Sequence, residues 1–86
     1  MSEIVMYSSG YCPYCMRARN VLDAKNVRYK VIDVDREPGQ RAEMRKLSGR
    51  TSVPQIWIGE RHVGGFDDLW ALESSGELNQ LITIGS

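Results

Sequence analysis

Ile4-Val5-Met6-Tyr7, a short loop, and then Cys12-Pro13-Tyr14-Cys15 is the stretch that decides how the chain is read. The first four residues, with Glu3 before them, read as an apolar strand. Pro13 suits the first position of a helix, where no N–H is required and the ring presets φ. Two cysteines three apart on a helix lie on one face, close enough to form a disulfide with little backbone movement. A thiol at a helix N-terminus also sits among unpaired backbone N–H groups, which favour its thiolate. The motif therefore predicts redox chemistry, with Cys12 at the exposed helix start as the attacking thiol. Cys15, one turn inward and shielded, would resolve the mixed disulfide.

Working outward, Tyr14 to Lys25 reads as the first helix, with Cys15, Ala18, Val21 and Leu22 along one face. Asn26 is a left-handed stop. Arg28 to Val34 reads as a second strand, with Tyr29 and Val31 on one face and Ile32 and Val34 grouped apart from them. Strand, helix and strand in succession imply a parallel pair joined by a right-handed crossover. Glu37-Pro38 opens a second helix that runs to Ser48 with Gly49 as its cap. Its apolar stripe is thin (Ala42, Met44, Leu47), so one face stays wet.

Gln55 to Ile58 and Arg61 to Val63 flank Gly59-Glu60, a two-residue turn with glycine first, as a type II′ hairpin prefers. Gly64-Gly65 breaks the hairpin. Asp67 to Ser75 forms a third helix and Gly76 stops it. Leu78, Leu81 and Ile82 add one last turn, and Thr83 to Ser86 reads as frayed. The order β-α-β-α-β-β-α predicts an α/β fold: a four-stranded mixed sheet with helices on both faces. Trp57 and Trp70 read as packing residues rather than a ligand box.

Composition narrows the field. At 86 residues the chain predicts a single domain, 1–86, with a core that holds without further staples. Eleven basic and eleven acidic residues cancel, which gives no electrostatic case for nucleic acid or an anionic membrane. No apolar run approaches the roughly 20 residues of a membrane span, and the N-terminus lacks the regions of a signal peptide. These features predict a cytoplasmic protein, where a disulfide is more often catalytic than structural. Zinc wants four ligands, and two cysteines with a distant His62 leave a monomeric site incomplete, so no metal is expected.

Two further segments carry chemistry. Val53-Pro54 precedes a strand, where proline removes a ladder donor and marks an edge or a special turn. Gly64-Gly65-Phe66-Asp67-Asp68 sits at a helix start, where glycines permit close backbone approach and free N–H groups hold a carboxylate. On the residues alone, Asp67 and Asp68 read as capping groups that oppose the helix dipole.

Taken together, Cys12-Pro13-Tyr14-Cys15, Ser52-Val53-Pro54-Gln55-Ile56 and Gly64-Gly65-Phe66-Asp67-Asp68-Leu69 resemble the glutaredoxins of the dithiol class, over nearly the whole length. The resemblance implies a thioredoxin-like fold and reduction of protein disulfides and protein–glutathione mixed disulfides. Glutathione would be the co-substrate, regenerated indirectly by glutathione reductase, and the chain a monomer. It implies that Val53–Pro54 is cis, leaving the residue 53 backbone free to pair with an extended substrate. It implies glutathione contacts from Tyr14, Ser52, Val53, Pro54, Gly65, the Phe66 backbone, Asp67 and Asp68. Arg41 resembles a family position that meets the glycyl carboxylate, with a solvated helix arginine as the alternative.

Two departures stand out. Ser9 occupies a place where family members often carry a basic residue, and Phe66 one where they often carry cysteine. Two other functions compete: a glutathione-ligated dimer carrying an iron–sulfur cluster, which Pro13 disfavours by stiffening the motif, and an electron donor recharged by thioredoxin reductase, which has less need of the Asp67 region.

Overall fold

The structure is a computed structural model and describes residues 3–84. The central element is β1 (Ile4–Ser8), which pairs parallel with β2 (Lys30–Asp33) on one side. On its other side it pairs antiparallel with β3 (Gln55–Ile58), and β3 pairs antiparallel with β4 (Arg61–Gly64). The strand order is β2-β1-β3-β4. Alternation along β1 sends Ile4 and Met6 to one face, where they meet Ala18 and Leu22 of α1 (Pro13–Ala24). Leu69 of α3 (Phe66–Ser75) and Leu78 of α4 (Glu77–Ile84) complete that core. Tyr7 points the other way, to a smaller cluster with Val34 and with Met44 of α2 (Gln40–Ser48). Helices therefore cover both faces of the sheet, as the element order predicts. The split in the second strand also holds, with Tyr29 and Val31 on the larger cluster and Ile32 and Val34 on the smaller.

The local stops follow residue chemistry. Asn26 takes φ 56, and Gly49 and Gly76 close α2 and α3 at φ 72 and 85. Gly59 has φ 61 while Glu60 is not among the positive-φ residues, which is the type II′ arrangement.

β1, α1, β4 and α3 each differ by one residue from the sequence reading, at one end or both, and three places differ by more. The second strand is shorter, and α2 begins at Gln40 rather than Glu37. Asp33 explains the end of the strand and the late start of the helix: its Oδ1 accepts from the Asp35 and Arg36 N–H groups at 2.9 and 3.2 Å, which turns the chain before a helix can start. Gly39, at φ 81, then carries the chain into the helix. The third difference is at the C-terminus. Residues 77–84 form a full helix rather than one turn, because Leu78 is completely buried against the core and Leu81 and Ile82 pack on it. Thr83 and Ile84, read as frayed, belong to this helix; Gly85 and Ser86 lie outside the described residues.

Burial of Leu78 makes α4 part of the cooperative fold. Leu78→Ala is expected to lower unfolding stability by about 2–5 kcal/mol, the range for a leucine truncated in a packed core. Urea denaturation measures this; a loss below about 1 kcal/mol would mark α4 as an appendage.

Candidate active site

Cys12 is the N-cap of α1, with extended backbone (φ −152, ψ 103), and its Sγ accepts from the Cys15 N–H at 3.1 Å. The sulfur thus fills the role an aspartate or serine oxygen fills at other helix starts. Pro13 follows at the first helical position. On its other side the Cys12 thiol donates to the Val53 carbonyl at 3.8 Å, bridging 41 residues of sequence. Both cysteines are free. Cys12 is 9% exposed and Cys15 2%, so the sequence ranked their accessibility correctly but overstated how open Cys12 is. The Val53 segment, folded against the sulfur, accounts for the difference. Burial, reinforced by the neighbouring Cys12, pushes the Cys15 thiol above its ordinary pKa, against a lowering influence from Ser8 and Ser9. Cys15 is accordingly a neutral thiol at pH 7.

Beside Cys12 runs a groove of about 250 Å³ lined by Tyr14, Arg50, Ser52 to Gln55, and Gly65 to Asp68. One wall is the Ser52-Val53-Pro54 segment, whose Val53–Pro54 bond is cis, in accord with the family resemblance. The other wall is the N-terminus of α3, whose first N–H groups have no partner within the helix. Gly65 caps that helix, and its N–H donates to Asp68 Oδ2 at 3.0 Å. A side chain at Gly64 would collide with the Asp68 carboxylate, and φ 118 there suits only glycine. Gly64 is thus a requirement of this close approach. Asp67, by contrast, is exposed and has no side-chain partner among the described residues.

The aromatic rim is continuous. Tyr14 lies 6.2 Å from Phe66, and Phe66 stacks on the half-exposed Trp70 at 6.2 Å, centroid to centroid. Trp57 is on the opposite face of the sheet, edge-on to Tyr7. Neither tryptophan lines the groove.

Of the residues singled out from sequence, the structure brings together Tyr14, Ser52, Val53, Pro54, Gly65, Phe66, Asp67 and Asp68. Arg41 is not with them. Its guanidinium lies on Asp35 Oδ1 at 2.8 Å, away from the groove lining. The cation that does line the groove is Arg50, which donates to Asp68 Oδ2 at 3.0 Å. Sequence reasoning missed it, although Arg50 stands two residues before Ser52 and any side chain there flanks that wall. Gln55, also missed, is a fully buried polar residue on the groove's floor.

Strand, helix-capping dithiol and groove together define a thiol-disulfide oxidoreductase of the thioredoxin-like fold. The glutaredoxin family profile matches residues 4–63, and the chain belongs to that family. It is 49% identical over 83 residues to a glutaredoxin of Pseudomonas aeruginosa, covering 96% of this chain and 99% of that one. It is 44% identical to glutaredoxin 3 of Escherichia coli K12, covering 95% and 99%. Among solved structures, the buckwheat glutaredoxin–glutathione complex superposes with a TM-score of 0.90 at 31% identity, covering 98% of this chain and 79% of that one. The solution structure of Brucella melitensis glutaredoxin gives 0.87 at 45%, covering 100% and 94%.

The Arg50 guanidinium and the Gly65 N–H hold the Asp68 carboxyl below its usual pKa, against a smaller desolvation cost. A depressed folded-state pKa contributes stability that is complete above the unfolded value, about 4, and is lost as pH falls through the folded value. The stability gap between the wild type and Asp68→Asn is therefore expected to be constant at neutral pH and to close below about pH 4. Parallel urea melts from pH 7 to pH 2 test this; a gap that widens on acidification contradicts the assignment.

Proposed function

We propose that this glutaredoxin reduces protein–glutathione mixed disulfides and protein disulfides with electrons from glutathione, the whole chain, 1–86, acting as one monomeric domain in the cytoplasm. The observation that carries the reading is the groove itself. It starts where the Val53 carbonyl touches the Cys12 sulfur and ends at the α3 N-terminus, so a bound tripeptide would present its sulfur to Cys12. That the buckwheat neighbour is a glutathione complex supports the same ligand here.

In this reading the Val53 backbone pairs with the cysteinyl residue of glutathione, as one strand pairs with another. Ser52 and Pro54 shape that wall, and Tyr14 closes the side next to the dithiol. The Gly65 and Phe66 backbone and the Asp67 carboxylate hold the α-carboxylate and ammonium of the γ-glutamyl end. Asp68 acts through Arg50 and the Gly65 cap. Arg50 supplies the groove's positive charge in place of the absent basic residue at position 9; Arg41 contributes only by leaving Asp35.

The Cys12 thiolate attacks the glutathione sulfur of a protein–S–SG disulfide. The Cys12–SG bond forms, the protein–S bond breaks, and the departing thiolate takes a proton from water. A second glutathione thiolate then attacks the Cys12-bound glutathione, giving oxidised glutathione and restoring the Cys12 thiolate. Alternatively Cys15 loses its proton and attacks Cys12, releasing glutathione and leaving a Cys12–Cys15 disulfide that two further glutathiones reduce. Both routes have the same balance: one free glutathione is consumed net and one oxidised glutathione is formed, its other half accounted for by the glutathionyl group that came from the substrate. Because Cys15 is buried and neutral, the first route is favoured for glutathionylated substrates.

With a glutathionylated peptide, Cys12→Ser is expected to abolish turnover while Cys15→Ser retains a substantial fraction. Equal loss in both overturns the assignment. The assay is NADPH consumption coupled through glutathione and glutathione reductase. Turnover with thioredoxin reductase alone, and none with glutathione, would replace this reading by a thioredoxin-type carrier.

A further inference from the structure

Gln55 is completely buried yet belongs to neither polar wall, and its amide is fully committed. Its Nε2 donates to the Ser52 carbonyl at 3.1 Å and lies 3.4 Å from the Ser52 hydroxyl. Its Oε1 meets His62 Nε2 at 2.8 Å. The Ser52 carbonyl can only accept, which fixes the orientation of the amide. Oε1 must then accept from His62, so the imidazole carries its proton on Nε2. The ring is held in place by Trp57, whose ring lies 4.6 Å away at a tilt of 31°, and Trp57 is braced edge-on by Tyr7 at 5.3 Å. A chain of contacts thus runs from β4, through β3, to the segment whose next carbonyl touches Cys12.

His62 does not line the groove. It stands behind the wall, and no step of thiol exchange uses it. We propose that His62 is a positioning residue: through the buried Gln55 amide it fixes the Ser52-Val53 backbone, and so sets the affinity for the glutathionyl group rather than the rate of sulfur exchange. The inference rests on the glutathione reading above. Its physical basis is that a buried Oε1 deprived of its donor forces the amide to turn or to draw in water. Either response loosens the hold on Ser52. Protonation does not release the bond, because Nε2 is a donor in both the neutral and the charged ring.

The test compares His62→Phe, which keeps a ring against Trp57 but removes the donor, with His62→Gln, whose amide N–H reaches to the same place. With a glutathionylated peptide, His62→Phe is expected to raise KM by about fivefold to tenfold, the loss of one neutral hydrogen bond, with kcat within about twofold of wild type. His62→Gln is expected to restore KM. An unchanged KM in His62→Phe, a fall in kcat that matches the whole loss, or no rescue by glutamine overturns the proposal. A wild type with no glutathione-dependent turnover removes the function reading and this inference together, which separates the two failures. Should His62→Phe not fold, ¹⁵N NMR of the wild type decides: a ring protonated on Nε2, with a Gln55 side-chain amide that shifts on adding S-methylglutathione, supports it. A neutral ring protonated on Nδ1 overturns it.

Discussion

The site depends on one constraint, that β1 is paired on both edges and covered on both faces. Pairing parallel to β2 and antiparallel to β3 places the C-terminal end of β1 beside the N-terminal end of β3, with Tyr7 opposite Gln55. The chain leaving β1 reaches Cys12 and the chain entering β3 passes through Val53, so the two meet at 3.8 Å. Met6 and Ile56, both fully buried and paired in register, hold this junction. Each contributes about 1.5–3 kcal/mol by leaving water, which favours a single register over a one-residue slip that would expose them.

Around that junction the polar groups divide the labour. The Cys12 sulfur has an N–H donor in Cys15 and a carbonyl acceptor in Val53. The carboxylate of Asp68 is engaged by Arg50 and Gly65, whereas that of Asp67 faces outward. Neighbouring aspartates on one helix turn thus have different parts: one builds the wall and the other is available to a ligand. The Arg50–Asp68 pair is half exposed and contributes little to stability by itself; its value is in placing a guanidinium at the groove.

Much of this was legible in the chain. The Cys12–Cys15 spacing, Pro13, the Gly59-Glu60 turn and the stops at Asn26, Gly49 and Gly76 are local: each follows from the φ or the hydrogen-bonding capacity of a few adjacent residues. The same kind of argument under-read the N-terminus of α2, where the Asp33 side chain competes for backbone donors. It under-read α4 as well, since an eight-residue helix is marginal alone and holds here through Leu78. Arg41 and Arg50 show the limit most clearly. Both are arginines near the site in sequence, and only the fold shows that one is engaged by Asp35 while the other lines the groove.

The sequence by itself determined seven elements, their order and the redox motif, because periodicity, capping and turn chemistry act over a few residues; most groove residues came from the resemblance of three motifs to the glutaredoxins. Tertiary structure decided which distant groups touch. Cys12 with Val53, Arg50 with Asp68 and Gln55 with His62 are set by strand register and by the angle at which α3 meets the sheet. Those are products of how whole faces pack, and no short window of residues encodes them.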